Sequence, residues 1–524
     1  MNGGDKSAER IGKVVVFLLM ITGIAFAGRK YIMPYFDLQL VEKTSSKSQY
    51  RREVKIAHDS FAGYAVLRSE DVRKEMAAKG VLLTFIDDAA DYTGRIGSLK
   101  DGSVDLAVFT IDAYIKSASV TGRGFPGSIV AVIDETAGAD AIVSYKDQIS
   151  TPAGLNHSDV RFVFTPDSPS ETLARILKAD FELPLLTDNW FVHENGAEAV
   201  YNRMKKRPAA REAYVLWEPF VSMALENPDA TLLFDSSKVS GYIVDVLIAN
   251  RKFLIDEQQL ICDLLAACFR ALHRHHTTET GMAGLISADA AAMKQVLTAD
   301  QSKIISRKIR WKNTLENYAH FGIFQQKTGL LTLEDMIRNI TSVLVQTGAV
   351  KSDPAQGNAS SLFYDGCLKK LQQEGFHPAK KLGITADDGV AKPETIDEGG
   401  SLTELTAEQW ALLVPLGELR VEPVAFGRGN AEITVGSRHD LDRLCDKLRT
   451  YPGYYLRITG HTRDVGDRDA NRSLSEERSR VTAKYLVGKG IPSSRIRASG
   501  SEPGTGKAGA GGQSVSFELL QQPY

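Results

Sequence analysis

From Val54 onward, short apolar runs alternate with longer stretches in which apolar residues return every three to four positions. The first spacing predicts strands and the second amphipathic helices. Strands are predicted at 54–58, 82–86, 106–109, 129–133, 141–144, 161–164, 214–216 and 231–234. Helices are predicted at 69–78, 92–100, 168–177, 196–207, 257–274, 288–298 and 333–347. Such alternation builds a parallel sheet covered by helices on both faces, so the expected fold class is α/β.

The pattern stops at 377–401, where Pro378, Pro393, several glycines and many acids carry neither period and predict a linker. A last compact unit, 402–524, follows. It has predicted strands at 419–426, 431–435, 454–460 and 514–520 and a helix at 475–488. Leu441, Leu444, Cys445 and Leu448 form one apolar helical stripe between them, giving a β/α sandwich.

At the other end, Arg10 and Lys13 precede an apolar run from Val14 to Ala27, closed by Gly28, Arg29 and Lys30. Residues 1–36 therefore predict an N-terminal membrane anchor or a signal segment, with 37–52 a polar tether. The run is short for a span, but the positive charges after Ala27 and the aromatic Tyr31, Tyr35 and Phe36 favour an anchor with the bulk exported. Cleavage and secretion into the periplasm is the alternative. Residues 53–376 are left as the central domain.

Composition narrows the partners. With 63 basic against 65 acidic residues and a net charge of -2, no nucleic-acid partner is expected. The cysteines number four; Cys262 and Cys268 lie six apart on one helix, out of mutual reach, and all four read as buried free thiols. His273, Arg274, His275 and His276 read as a solvated helix end whose dipole favours positive charge, so no metal site is expected. No nucleophile motif, zinc motif or phosphate-cradling loop is present, so neither catalysis nor a cofactor is expected.

Four passages in the central domain carry a resemblance: Val54-Lys-Ile-Ala-His-Asp-Ser-Phe-Ala-Gly-Tyr64, Gly102-Ser-Val-Asp-Leu-Ala-Val-Phe-Thr110, Asp134-Glu-Thr-Ala-Gly-Ala-Asp140 and Ala213-Tyr-Val-Leu-Trp-Glu-Pro219. Together with Ile309 to Tyr318 they resemble the type II periplasmic substrate-binding proteins of the nitrate, sulfonate and thiamine-precursor group. That resemblance implies two α/β lobes with a ligand cleft lined by loops at the carboxyl ends of strands. The cleft residues expected from it are Asp59, Ser60, Phe61, Thr110, Thr165, Ser168, Ser170, Trp217 and Glu218. Asp59 and Glu218 would repel an anion, which leaves an amine-bearing or neutral solute open.

The final unit contains Leu456-Arg-Ile-Thr-Gly-His-Thr462, then Asn471, Leu474-Ser475 and Arg478, then Tyr485-Leu-Val and Gly490-Ile with Arg495-Ile. These residues resemble the C-terminal peptidoglycan-associating domain of the OmpA family. The resemblance implies that Thr462, Asp464, Asn471, Leu474 and Arg478 surround the diaminopimelate of a stem peptide. Arg463 stands where the family places its aspartate, with Asp464 one residue later, so half of the expected charge clamp is displaced. The reading is a non-catalytic envelope protein that binds a small solute and peptidoglycan and is held at the inner membrane. In the alternative it is a receptor for an ABC permease, taking a small anionic or organic solute, with its last domain serving only localisation.

Overall fold

The computed structural model describes residues 50–121, 124–277, 281–295, 297–323, 330–379, 394–395, 402–504 and 514–523. The predicted segment 1–36 and most of 37–52 and 377–401 lie outside the described residues. Among the described residues no helix is long and apolar enough to cross a membrane.

The described residues form two units, one containing 50–54 and 73–84, the other running from 55 to 72 and from 85 onward. In the smaller one, the start of β1 (Arg52–His58) and most of β2 (Val81–Asp87) flank the body of α1 (Glu70–Ala78). Gly80, at φ +74°, turns the chain so that its carbonyl accepts from Arg51 N at 2.8 Å, and Thr84 Oγ1 donates to Glu53 at 2.7 Å.

In the larger unit the chain continues through α2 (Tyr92–Asp101), β3 (Leu106–Thr110), α3 (Ile111–Thr121) and β4 (Gly127–Thr136). It then crosses to β5 (Asp140–Tyr145), β6 (Arg161–Phe164), α4 (Pro169–Asp180), β7 (Phe191–His193), α5 (Ala197–Lys205), β8 (Glu212–Trp217) and β9 (Ala230–Asp235). It crosses back to β10 (Val244–Asn250), α6 (Gln258–His276), α7 (Gly281–Ala292), α8 (Ala299–Arg307), β11 (Ile309–Trp311), α9 (Thr314–His320), α10 (Leu333–Gln346) and α11 (Gly366–Gln373). One sheet has the order β11-β4-β10-β3-β1 and the other β7-β6-β8-β5-β9. Two crossings between two sheets make two lobes. Strands β3 and β5 are buried along their whole length, which explains their unbroken apolar runs.

Several elements depart from the sequence-based expectation. The sheets are mixed rather than parallel, because β10 returns antiparallel between β3 and β4, and β5 lies antiparallel between β8 and β9. Asp245 interrupts the apolar run of β10 and hides it from a pattern reading. The helix predicted at 288–298 covers only the end of α7 and the break before α8: Lys294 takes φ +60°, and Thr298 caps α8 by accepting from Gln301 N. Not all cysteines are free: Cys262 on α6 and Cys367 on α11 form a disulfide, their Cα atoms 4.9 Å apart across a sequence separation of 105. Spacing along one helix could not disclose that partner.

In the last domain, β12 (Val414–Glu418), α12 (Val435–Arg449), β13 (Tyr455–Gly460), α13 (Arg468–Gly488), β14 (Ile496–Gly500) and β15 (Val515–Gln521) form a four-stranded sheet of order β12-β15-β13-β14 with two helices. The strands predicted at 419–426 and 431–435 are reduced to single bridges, Phe181 with Leu419 and Phe426 with Ile433. The cause is docking onto the second lobe. Arg420 N donates to Asp180 O at 2.7 Å, and Phe181 meets the Tyr451 ring edge-on at 5.8 Å. The buried Asp180 carboxylate accepts from Tyr242 and Tyr451 hydroxyls at 3.0 and 2.6 Å and pairs with Lys447 at 3.0 Å.

Candidate functional site

At the carboxyl end of β3, four residues stand in register across four strands of the first sheet. Asp245 of β10 lies opposite Thr110 of β3 and Asp134 of β4, and Asp134 lies opposite Trp311 of β11. The turn at 61–64 covers this row. Tyr64 donates to Asp245 Oδ1 at 2.5 Å, Trp311 Nε1 donates to Gly63 O at 2.8 Å, and a Cβ on Gly63 would meet Asp134 Oδ2 at 2.3 Å. A larger residue there would push aside the Asp134 carboxylate and the Phe61 ring.

The row is acidic and lacks countercharge. Asp134 is 0% and Asp245 1% exposed, and among the described residues neither forms an ion pair; nor do the buried Asp112, in the first turn of α3, and Asp140, at the start of β5. Burial away from water pushes Asp134 up to about 8 and Asp140 up to about 7, and raises Asp112 and, well above its usual range, Asp245. By contrast, Lys312 beside Glu135 at 2.8 Å outweighs its burial and holds that carboxyl down to about 2. Asp134 accepts from no N–H or hydroxyl donor, its side-chain hydrogen bond being to Asp245; Thr110 and Thr136 hydroxyls turn to Asp112 and Asp140, and the buried Ser170 hydroxyl lacks a partner.

The lobes meet at the starts of α3 and α4. Thr172 of α4 donates to Asp112 Oδ2 at 2.5 Å, and Lys116 of α3 reaches Glu171 at 2.8 Å and Asp167 at 2.6 Å.

The sequence-predicted cleft residues fall into three groups. Thr110 belongs to the row, and Ser170, 0% exposed, sits at the α4 start. Asp59, Ser60 and Phe61 lie at the covering turn, but Asp59 is already engaged, accepting from Phe61 N at 3.0 Å and pairing with Arg95 at 3.0 Å. Ser168 spends its hydroxyl on Thr165 O at 2.7 Å; Trp217 packs on the apolar core of the second lobe; Glu218 pairs with Lys308 and accepts from Ser222 Oγ at 2.9 Å. Sequence reasoning did not single out Asp112, Asp134, Asp140, Asp245 or Tyr64 as site residues. The available signal was a charged residue inside an apolar strand, Asp245, and another at the end of one, Asp134.

The second candidate site lies on the last domain. Strands β13 and β14 press against α13 so tightly that a Cβ on Gly460 would sit 1.9 Å from Ser475 O. His461 is held between Ser501 and Ser516 hydroxyls at 2.9 and 3.0 Å, which makes it a bracket between strands. Asp467 caps α13 by accepting from Ala470 N at 2.8 Å. In the loop between, Thr462 is buried with Oγ1 on Asn471 O at 3.2 Å, Asn471 Nδ2 donates to Val465 O at 2.9 Å, and Asp464 is exposed beside Gly504. Leu474 is half-buried on α13.

Arg478, one turn further along α13, is only 1% exposed rather than on the surface. Its Nε donates to Asn430 O at 3.1 Å, its guanidinium lies 5.0 Å from the Phe426 ring centre, and its Nη1 is buried without a partner. Desolvation lowers its pKa. Such a group can take a carboxylate through a fork of charge-assisted bonds. Among the described residues no group of three or more His, Cys, Asp or Glu is arranged to hold a metal ion.

Over 74 residues the chain is 34% identical to the "Peptidoglycan-associated lipoprotein" of Rhizobium meliloti, covering 14% of this chain and 42% of the relative. Over the same length it is 34% identical to the "Peptidoglycan-binding protein ArfA" of Mycobacterium bovis, covering 23% of that protein. The chain thus spans less than half the length of either curated relative. Among solved structures it is similar to the periplasmic aliphatic sulphonate binding protein SsuA from Escherichia coli, with 17% identity, TM-score 0.41, and 50% of this chain and 86% of that one covered. It is also similar to the periplasmic nitrate-binding protein NrtA from Synechocystis PCC 6803, with 11% identity, TM-score 0.46, and 62% and 88% covered. Residues 425–513, which hold β13, α13 and Arg478, match the OmpA family.

Proposed function

We propose that this chain is a non-catalytic cell-envelope protein that associates with peptidoglycan through its last domain and holds a small solute between its two lobes. The observation that carries the first half is Arg478, a buried guanidinium with a free Nη1 at the site the OmpA match covers. Leaving such a group unpaired costs roughly 1–3 kcal/mol, which a stem-peptide carboxylate would offset. Thr462, Asp464, Asn471 and Leu474 complete the wall subsite, with Asp464 meeting the ammonium in place of the residue at Arg463. The names of the curated relatives support this reading.

The second half rests on the two crossings between sheets and the polar row where they meet. In this reading residues 53–376 form the solute-binding domain, 377–401 the linker and 402–524 the wall domain. Residues 1–36 hold the protein at the inner membrane with its bulk in the periplasm.

Sedimentation of the full chain with purified sacculi tests the wall association. The unmutated protein is expected to pellet, and Arg478→Lys, which keeps charge but loses the fork, to need about tenfold more wall or greater. Failure of the unmutated chain to pellet removes this half of the proposal.

A further inference from the structure

We infer that the solute held between the lobes is a small organic molecule bearing a primary ammonium, received by Asp134, Asp245 and Thr110. This rests on the solute-binding reading above and names its ligand class.

Three observations lead there. Asp134 and Asp245 face each other on β4 and β10 under the 61–64 turn, both essentially inaccessible, and the cations close by are committed elsewhere: Arg95 to Asp59 and Asp88, Lys308 to Glu218, Lys312 to Glu135. Buried carboxylates ordinarily come with a counter-ion or full hydrogen bonding. Secondly, Thr110 stands in the same row, 2% exposed, and the Asp134 carboxyl accepts from no N–H or hydroxyl donor, its side-chain hydrogen bond being to the like-charged Asp245. Buried polar atoms in folded chains are paired more than nine times in ten, and two acid groups that meet each other with only the Tyr64 hydroxyl donating to them leave acceptor positions for a further donor group. An ammonium supplies three donors and one positive charge, which matches what the row lacks.

Thirdly, the place that would take an anion is filled from within. Asp112 opens α3, and its carboxylate accepts from Thr172 of the opposite lobe and lies beside the Thr110 hydroxyl. An anionic solute would meet that carboxylate together with Asp140 and Glu218. A metal ion is disfavoured by the absence, among the described residues, of three liganding side chains arranged around one point. The aromatic rings at the row, Tyr64 and Trp311, suit the organic body of an amine.

Thermal denaturation of the full chain is measured with increasing putrescine, ethanolamine and phenethylamine, and in parallel with ethanesulfonate and nitrate. At least one amine is expected to raise the midpoint with concentration, and the anions to leave it unchanged. Asp134→Asn and Asp245→Asn are each expected to raise the half-saturating amine concentration by about tenfold to a hundredfold. Their ligand-free midpoints near pH 7 should stay close to that of the parent, because burial keeps both carboxyls protonated there and the amide replaces a neutral group of the same shape. Stabilisation by an anion and not by an amine overturns the ammonium assignment and leaves solute binding standing. Stabilisation by amines that both variants retain in full places the amine elsewhere and also overturns it. No response to any probe overturns the assignment and the solute-binding reading together.

Discussion

Breaking the Cys262–Cys367 bond should destabilise the central domain by about 4–5 kcal/mol, and the number follows from where the two cysteines lie. The bond closes a loop of 105 residues, and in the chain-entropy account a loop of roughly 100 residues restricts the unfolded ensemble by about 4.7 kcal/mol. In the folded state little should change. Cys262 and Cys367 are 2% and 0% exposed, and Cys367 Sγ already lies 3.5 Å from Gln258 O, so two thiols or two serines occupy nearly the same packed volume. The effect therefore acts through the unfolded chain.

The assay is denaturant unfolding of the native chain, of the reduced chain, and of the Cys262→Ser/Cys367→Ser double variant, each followed by intrinsic fluorescence. Alkylation under denaturing conditions counts the thiols. Chain recovered from the envelope should give two, Cys268 and Cys445, since the other two are bonded. A stable disulfide belongs to an oxidising compartment, so this count also tests export. Four reactive thiols, or midpoints that do not move when the bond is verifiably broken, would refute the reasoning.

Two further perturbations probe the same molecule. Asp140, pushed up to about 7, and Asp134, pushed up to about 8, hold protons in the folded state that the unfolded chain releases near pH 4. Their contribution is therefore present below pH 4 and is lost as pH rises through about 7 to 8; for Asp140 the shift of roughly three units corresponds to about 4 kcal/mol at most. The groups facing them are Asp112 and Glu218 around Asp140, and Asp245, Glu135 and Lys312 around Asp134. Denaturant midpoints at pH 6 and pH 9 should fall accordingly, and Asp140→Asn should flatten the fall; a rise with pH would contradict the assignment. At the seam between the second lobe and the last domain, Asp180→Ala strips the acceptor from Tyr242, Tyr451 and Lys447 and should cost about 2–4 kcal/mol of docking. Calorimetry should then resolve separate transitions for domains that melt together in the parent, and an unaltered single endotherm would count against a coupled seam.

The sequence by itself determined the α/β class, most of the strands and the OmpA-like motif of the last domain. These are local signals: apolar period, cap residues and a short run of fixed spacing are written within ten or twenty residues of one another. The strand at 106–110, the strand at 161–164 and the helix beginning at 333 follow from such periods alone. The position of Arg478 could be read from its motif, whereas its burial beneath Phe426 and Asn430 could not, because those residues come from a loop about fifty positions earlier.

Everything assembled from distant parts of the chain was decided by the tertiary structure. The return strand β10 brings Asp245 between Thr110 and Asp134, and only that antiparallel insertion turns three unremarkable polar residues into one uncompensated row. The partner of Cys262 lies 105 residues away. The last domain docks on Asp180 and Phe181 instead of hanging free, and draws Leu419 out of the strand its own apolar pattern predicts. Periodicity records which face of an element is buried; it carries no record of which other element buries it, and that choice fixes where charge is left uncompensated.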